Sequence, residues 1–279
     1  MKYALLSDVH ANLEALTSVL RALESSQVDR LVCLGDIVGY HANPNECIAL
    51  LKAAGAVCIA GNHDRAAAGQ KDTLRFGATA RRAITWTRSR LTDANRAWLR
   101  ALPSTRLVVD AGGARQTFFC VHAALHPEPN DDLHLSSDAR VAKSFEQLVT
   151  GRFGAKLCFF GHTHRTMLHE YTAAGPAGSA PAERKLQASS YYLINPGSVG
   201  QPRDQNPEAA FVTFDTRLDL VEFHRAAYDV RSCLAKAERA GLLRPPGLTS
   251  RSADWLYDKL DTGRTVAGRV SRVVRGHAR

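Results

Sequence analysis

The chain has 279 residues, 45% hydrophobic and 23% charged, which allows a large buried core and excludes global disorder. Lys and Arg number 36 against 27 Asp and Glu, a net +9. Of this, +5 falls in residues 262–279, where Arg264, Arg269, Arg272, Arg275 and Arg279 meet no acid. The remaining +4 is not the footprint of a dedicated nucleic-acid binder, so nucleic acid is not an expected partner. The tail itself reads as a solvated end, with a phosphate-contacting arm as its alternative.

The first run, Tyr3–Ser7, is apolar and strand-length. Asn12–Leu23 repeats Leu13, Leu16, Val19, Leu20 and Leu23 at helical spacing. Arg30–Leu34 predicts a second strand, Asn45–Ala54 a helix with Pro44 at its start, and Ala56–Ala60 a third strand. Thr92 caps a predicted helix, Asp93–Leu102, that stops before Pro103. Arg106–Asp110, Thr117–Val121 and Lys156–Phe160 are further strands. Nearly unbroken apolar runs alternating with helices predict βαβ units and a largely parallel sheet covered on both faces.

The second half changes character. Leu168–Tyr171, Tyr191–Ile194, Ala210–Phe214 and Leu218–Phe223 follow with little helix between them, which suggests an antiparallel meander and a second sheet. Residues 172–185, rich in Ala, Gly, Pro and Ser, read as a mobile loop. Residues 228–241 are helical in pattern, Pro245 and Pro246 break it, and 252–260 is a last short helix. No repeat or linker divides the chain, so residues 1–279 are expected to form one domain ending in the basic tail.

Six cysteines form no CxxC pair, and Cys33, Cys58, Cys120 and Cys158 sit inside apolar runs as small hydrophobes. No disulfide framework is expected, and a reducing compartment is. Asp8 interrupts the opening apolar run too early for a signal-peptide core, and no stretch approaches membrane-spanning length. The expected location is the cytoplasm, without a membrane partner. A homo-oligomer is left open.

Five apolar runs end in metal-competent residues: Asp8 and His10, Asp36, Asn62 with His63 and Asp64, His122, and His162 with His164. Ligands of open α/β sheets bind beyond the carboxyl ends of the strands. The i, i+2 spacing of Asp8/His10 and His162/His164 aims each pair one way if strand geometry continues. Gly35, Gly61 and Gly161 precede three clusters and allow a tight turn. Carboxylates, imidazoles and one amide, without thiolate, suit Mn, Fe, Co, Ni or Zn. Seven such groups exceed the needs of one ion, and a shared carboxylate bridges two. Any one of these clusters alone is a common loop.

Together the motifs D-x-H, GD-x-x-G (Gly35, Asp36, Gly39), GNHD (Gly61–Asp64), His122 and GH-x-H (Gly161, His162, His164) resemble the calcineurin-like metallophosphoesterases. Asn195–Gly197-Ser198 and Val199–Arg203 are similar to the YfcE-like bacterial and archaeal branch, which extends the likeness to about residue 215. The resemblance implies a four-layer αββα sandwich of two mixed β-sheets flanked by helices. It implies that Asp8, His10 and His164 hold one divalent ion and Asn62, His122 and His162 a second, with Asp36 shared. It implies a small phosphate ester as substrate, most simply a phosphodiester, attacked by a metal-bridging hydroxide, with a phosphomonoester, nucleotide or phosphoprotein as alternatives. His63 is implied as general acid, oriented by Asp64; an alkoxide leaving group does need an acid.

Other residues keep two readings each. Asn12 faces the substrate or caps the first helix. Arg203 steadies a phosphate or pairs with Asp204. Tyr40 stacks on a substrate or packs. His41 departs from relatives that carry a small residue there, and His126 and His134 read as loop histidines. The retromer scaffold subunit shares this fold as a protein-binding, non-enzymatic alternative. It has lost the catalytic histidine, whereas His63 is present here.

Overall fold

The structure, a computed structural model, describes residues 1–110, 117–126, 128–130, 132–172, 175–179 and 182–243. The expected helix at 252–260, the break at Pro245 and Pro246 and the basic tail lie outside these residues. In chain order the elements are β1 (Lys2–Leu6), α1 (Leu13–Glu24), β2 (Arg30–Cys33), α2 (Pro44–Ala53), β3 (Val57–Cys58), α3 (Asn62–Ala67), α4 (Ala78–Arg90) and α5 (Asp93–Ala101). Then come β4 (Thr105–Val108), β5 (Phe118–Val121), α6 (Asp138–Val149), β6 (Leu157–Phe159), β7 (Thr166–Thr172), β8 (Gly175–Ser179), β9 (Glu183–Lys185), β10 (Tyr191–Pro196), β11 (Ala209–Asp215), β12 (Leu220–Ala226) and α7 (Val230–Arg239).

Two six-stranded sheets result, ordered β3-β2-β1-β11-β12-β9 and β4-β5-β6-β10-β7-β8. Both are mixed. β1, β2 and β3 run parallel, as do β5, β6 and β10, and the remaining pairings are antiparallel. Alternate side chains of each strand serve different layers. Tyr3, Leu5, Val32 and Leu34 meet Phe118, Cys120, Phe159 and Ile194 between the sheets. Ala4, Leu6, Leu31 and Cys33 face the other way, onto Leu16, Val19, Ile48 and Leu51 of α1 and α2. Phe119, Val121 and Phe160 pack on Val141, Phe145 and Leu148 of α6. Sheet on sheet with helices outside each is the αββα sandwich.

Local signals explain most boundaries. The Asn12 side chain accepts from Ala15 N at 3.0 Å and starts α1, and Pro44 opens α2. Thr92 accepts from Asn95 N and starts α5. Three helices were not expected, the six-residue α3 and the longer α4 and α6. α6 carries Val141, Phe145 and Leu148 at i, i+4 and i+7, a readable stripe. α4 buries only Ala80, Ala83, Ile84 and Thr87, so small side chains dilute its signal. The expected loop at 172–185 is corrected. β8 pairs with β7 from Leu168↔Ser179 to Thr172↔Gly175, and β9 pairs with β12. Its Gly and Pro residues have poor strand propensity, but these are edge strands, where a missing amide hydrogen is tolerated. Among the described residues no helix is long and apolar enough to cross a membrane.

Candidate metal centre

The chain leaves each parallel strand abruptly. β1 ends at Leu6, and Asp8, His10 and Ala11 adopt φ of 55°, 50° and 57°. Asp36, His162 and His164 do the same, with φ of 52°, 65° and 58°. Such left-handed backbone is uncommon for residues with a Cβ and persists only where the surroundings dictate it. The expectation that strand geometry aims Asp8/His10 and His162/His164 is thereby corrected: these side chains are aimed by tight turns. Backbone hydrogen bonds enforce the turns, from Asp8 N to Gly35 O (3.0 Å), His10 N to Asp36 O (2.9 Å) and Ala11 N to Ile37 O (2.9 Å).

Glycines permit the loops to touch. Gly35 has φ +94°, a true turn, and a Cβ on it would lie 2.5 Å from Gly61 N. Gly61 and Gly161 serve by close approach instead. A Cβ on Gly61 would stand 2.1 Å from Asp36 Oδ1, and one on Gly161 1.8 Å from Ser7 Oγ. The Asn195–Gly200 segment braces the floor. Asn195 Nδ2 donates to Gly161 O (2.7 Å), Ser198 Oγ to Asp8 O (2.9 Å) and Gly200 N to Asp8 O (2.9 Å).

The imidazoles are set by backbone carbonyls. Nδ1 of His10 faces Val38 O at 3.2 Å, Nδ1 of His122 faces Leu34 O at 2.8 Å, and Nδ1 of His164 faces Gln201 O at 2.7 Å. Nε2 of His162 faces Asp132 O at 3.0 Å. A carbonyl only accepts, so each of these nitrogens carries a hydrogen, and in the neutral rings of His10, His162 and His164 the other keeps a lone pair, an arrangement typical of metal-bound histidine. The side chains converge. Asp8, His10 and His164 form one group, and Asp36, His122 and His162 another, each with candidate ligand atoms within 4.8 Å of one another. His10, Asp36 and His63 form a third such group. His10 Nε2 and His164 Nε2 are 3.0 Å apart, and Asp36 Oδ2 lies 3.4 Å from His122 Nε2 and 3.7 Å from His10 Nε2.

Electrostatics favour cations at this place. Burial holds His10, His162 and His164 well below the ordinary imidazole range, so they are neutral and free to bind. Burial pushes Asp8 up to about 7. Burial also raises Asp36, but His122, His63 and His10 outweigh it and hold the carboxyl well below its usual value. His122, opposed by burial, is lifted to about 10 by Asp36 and Asp8. Asn62 Oδ1 and His122 Nε2 are buried without a hydrogen-bond partner. An orphaned amide oxygen such as Asn62 Oδ1 beside two buried carboxylates is costly unless a cation supplies the missing contact. The donor set, carboxylates, imidazoles and an amide oxygen, fits divalent metal binding.

His63 stands apart. Its backbone NH donates to Asp36 Oδ1 at 2.8 Å, and its ring lies between Tyr40 (4.7 Å), His10 (4.8 Å) and Phe76 (5.2 Å). Its Nδ1 is buried and unpartnered, against the face where Gly39 lacks a Cβ. Burial lowers its pKa to about 4, with His122 and Arg203 adding to the effect and Asp36 opposing it. Asp64 does not touch the ring through any hydrogen bond; its carboxylate accepts from Val38 N (3.1 Å) and Gly61 N (3.0 Å). It therefore holds the GNHD loop against the loop that carries Asp36.

A cleft of about 550 Å³ opens over these groups, with Asp36, Asn62, His63, His162 and His164 at its floor. Arg203 lines it, and its guanidinium bonds to Gln201 Oε1 (2.9 Å) and Tyr40 OH (3.5 Å). The alternative pairing of Arg203 with Asp204 is not formed, because Asp204 binds Arg225 and Thr166. Asn12 does not face the cleft. It is fully buried, capping α1 with its oxygen and giving its amide to Gly200 O at 3.0 Å, so its substrate-binding expectation yields to the structural one. His134, expected as a loop histidine, lines the cleft with its ring 4.0 Å from that of His162. Tyr40, Phe76 and Arg75 complete the walls. Phe76 and Arg75 carried no sequence signal, since they sit in an irregular segment between helices.

Comparison with known proteins agrees with this geometry. A family described as the calcineurin-like phosphoesterase superfamily domain matches residues 1–218. An uncharacterised protein of Methanocaldococcus jannaschii is 32% identical over 263 residues, 94% of this chain and 98% of that protein. The crystal structure of a metallophosphoesterase from Sphaerobacter thermophilus is 35% identical, covers 91% of this chain and 99% of its own, and superposes with a TM-score of 0.71. A hypothetical protein of Pyrococcus horikoshii shares the fold at 18% identity, with a TM-score of 0.69 over 87% of this chain and 94% of that one.

Proposed function

Since the chain belongs to the calcineurin-like phosphoesterase superfamily and is by that membership a metal-dependent phosphoric ester hydrolase, we propose that it is a phosphodiesterase acting on a small phosphate ester. The observation that carries the reading is the convergence of carbonyl-oriented imidazoles on two buried carboxylates. In it, Asp8, His10 and His164 hold one divalent ion, Asn62, His122 and His162 a second, and Asp36 is shared. Two ions held there would make hydroxide available near neutral pH and neutralise phosphate oxygens.

The remaining work falls to side chains. Arg203, half-buried at the cleft wall, offers a charged donor to a phosphate oxygen. Its position is fixed by Gln201 and Tyr40. His63 donates a proton to the leaving oxygen. In the free cleft its ring is neutral near pH 7, because burial depresses its pKa. An anionic phosphate beside it shifts the ring toward its protonated, proton-donating form. Asp64 is a positioning residue, holding the backbone from which His63 projects. Expulsion of water from the pocket strengthens each of these contacts.

The presence of His63 together with a complete donor set favours catalysis over a retromer-like scaffold role. Turnover of bis-p-nitrophenyl phosphate and of p-nitrophenyl phosphate, each with Mn, Ni, Co, Zn or Mg, separates the readings. Faster turnover of the diester supports the proposal. Turnover of the monoester alone replaces it with a phosphatase, and no turnover in protein holding two ions replaces it with the scaffold.

A further inference from the structure

Resting on the phosphodiesterase reading, we infer that the substrate is a diester carrying a second anionic group, a carboxylate or a phosphate, which Arg75 binds at the rim of the cleft. Besides its histidines, the cleft is lined by four side chains that carry charge: Asp36, Arg75, Asp132 and Arg203. Asp36 belongs to the metal centre. Asp132 pairs with Lys71, 2.6 Å away. Neither arginine has a carboxylate partner among the described residues. Arg203 bonds to Gln201 and Tyr40, and the Arg75 side chain makes no hydrogen bond or ion pair there. Two guanidinium groups without a counter-charge thus border one cleft.

The backbone under Arg75 is fixed, although its side chain is not. Leu74 N donates to Asp72 Oδ1 (2.9 Å), Phe76 N to Thr73 O (3.1 Å) and the Arg81 guanidinium to Phe76 O (3.2 Å). Arg88 Nη2 donates to Lys71 O at 3.3 Å, and the Lys71–Asp132 pair ties this segment to the cleft-lining loop that carries His134. Phe76, the next residue, is buried, with its ring 5.2 Å from that of His63. Arg75 is therefore held beside the reaction centre, exposed and without a partner of its own. A ligand that engages it orders one side chain and no backbone, which keeps the entropic cost of binding small.

The reacting phosphate does not account for Arg75. In the proposed reading that phosphate meets two divalent ions and Arg203, so its charge is already matched. The cleft, about 550 Å³, is of a size that takes a whole small molecule rather than a phosphate alone. A guanidinium on the wall of such a cleft suits an oxyanion, which it binds through two parallel hydrogen bonds. Phe76, Gly77 and Ala80, which line the cleft with Arg75, bring no charge that competes for it. The part of the substrate beyond the reacting phosphate must then supply the anion.

The test uses the full chain loaded with Mn and a set of p-nitrophenyl alkyl phosphodiesters. Their alkyl chains, two to six carbons long, end in a methyl group, a carboxylate or a phosphate, and release of p-nitrophenol is followed. For at least one chain length, KM of a charged ester is expected to lie about tenfold below that of its methyl-ended counterpart at low salt, and the advantage to shrink at high salt. The anion giving the larger advantage names the group that the substrate carries, and either one upholds the inference. Arg75→Gln is expected to abolish the advantage and Arg75→Lys to keep part of it, with melting and bound metal reporting the fold. Arg82→Gln, at an exposed position on α4 outside the cleft lining, is expected to leave the advantage in place. Equal KM for charged and methyl-ended esters at every length overturns the inference alone, as does an advantage that Arg75→Gln leaves intact. Failure to hydrolyse any of these diesters sinks the phosphodiesterase reading instead. In that case calorimetry of the Mn-loaded chain with propyl phosphate and with the bisphosphate of propanediol still decides. Tighter binding of the bisphosphate that Arg75→Gln removes upholds the second anion site, and a preference absent or unaffected by Arg75→Gln removes it.

Discussion

At the scale of single residues, the site is a set of individually unfavourable choices held in place by their neighbours. Asp8, His10, Asp36, His162 and His164 all sit at positive φ, and Asp8 and Asp36 are almost fully buried carboxylates. Neither the strain nor the burial repays itself without a ligand. Asp36→Asn is therefore expected to lose bound metal and turnover together, as measured by elemental analysis and bis-p-nitrophenyl phosphate hydrolysis. His63→Ala is expected to retain both ions and lose turnover by ~10²–10⁴-fold on an alkyl ester. Its loss on a p-nitrophenyl ester should be smaller, because that leaving group needs little help from an acid. Equal losses on both esters would contradict the proton-donor role. These residues were legible because polar groups ending apolar runs are conspicuous. The backbone that aims them was not, since positive φ at Asp or His leaves no trace in the letters.

At the scale of elements, packing between loops decides whether the site assembles. Gly161→Ala would push a methyl to 1.8 Å from Ser7 Oγ and 2.8 Å from Asp8 Oδ2. Overpacking of this kind costs roughly 1–3 kcal/mol and should displace Asp8, so both Tm and metal content are expected to fall. Gly77→Ala meets nothing within 4 Å at φ −59° and is the matched control, with a change under ~1 kcal/mol. If the two substitutions destabilise equally, the close-approach account is wrong. The early strands and α1, α2 and α5 were readable because long apolar stripes and capping residues mark them. α4 was not, because alanine and threonine fill its buried face, and β8 and β9 were not, because sheet edges accept residues of poor propensity.

At the scale of the whole molecule, layers follow from alternation, and charge follows from placement. The sandwich could be anticipated from buried-strand runs followed by a meander, together with the motif set. Acid stability should reflect Asp215, whose carboxyl the Arg217 hydrogen bonds hold down to about 2. A depressed carboxylate stabilises the fold above its unfolded value near 3.8, and the contribution is lost as pH falls through about 2. Arg217→Ala is expected to leave a smaller drop in Tm across that window, and an unchanged drop would contradict the assignment.

The central claim is that two ions at these strand ends make the chain a phosphoesterase. It is tested most directly by stripping the protein with chelator and titrating Mn back while following bound metal and bis-p-nitrophenyl phosphate turnover together. The account predicts no turnover in the stripped protein and activity that saturates at two Mn per chain. Saturation of both sites without turnover, or full turnover in the stripped protein, would contradict it.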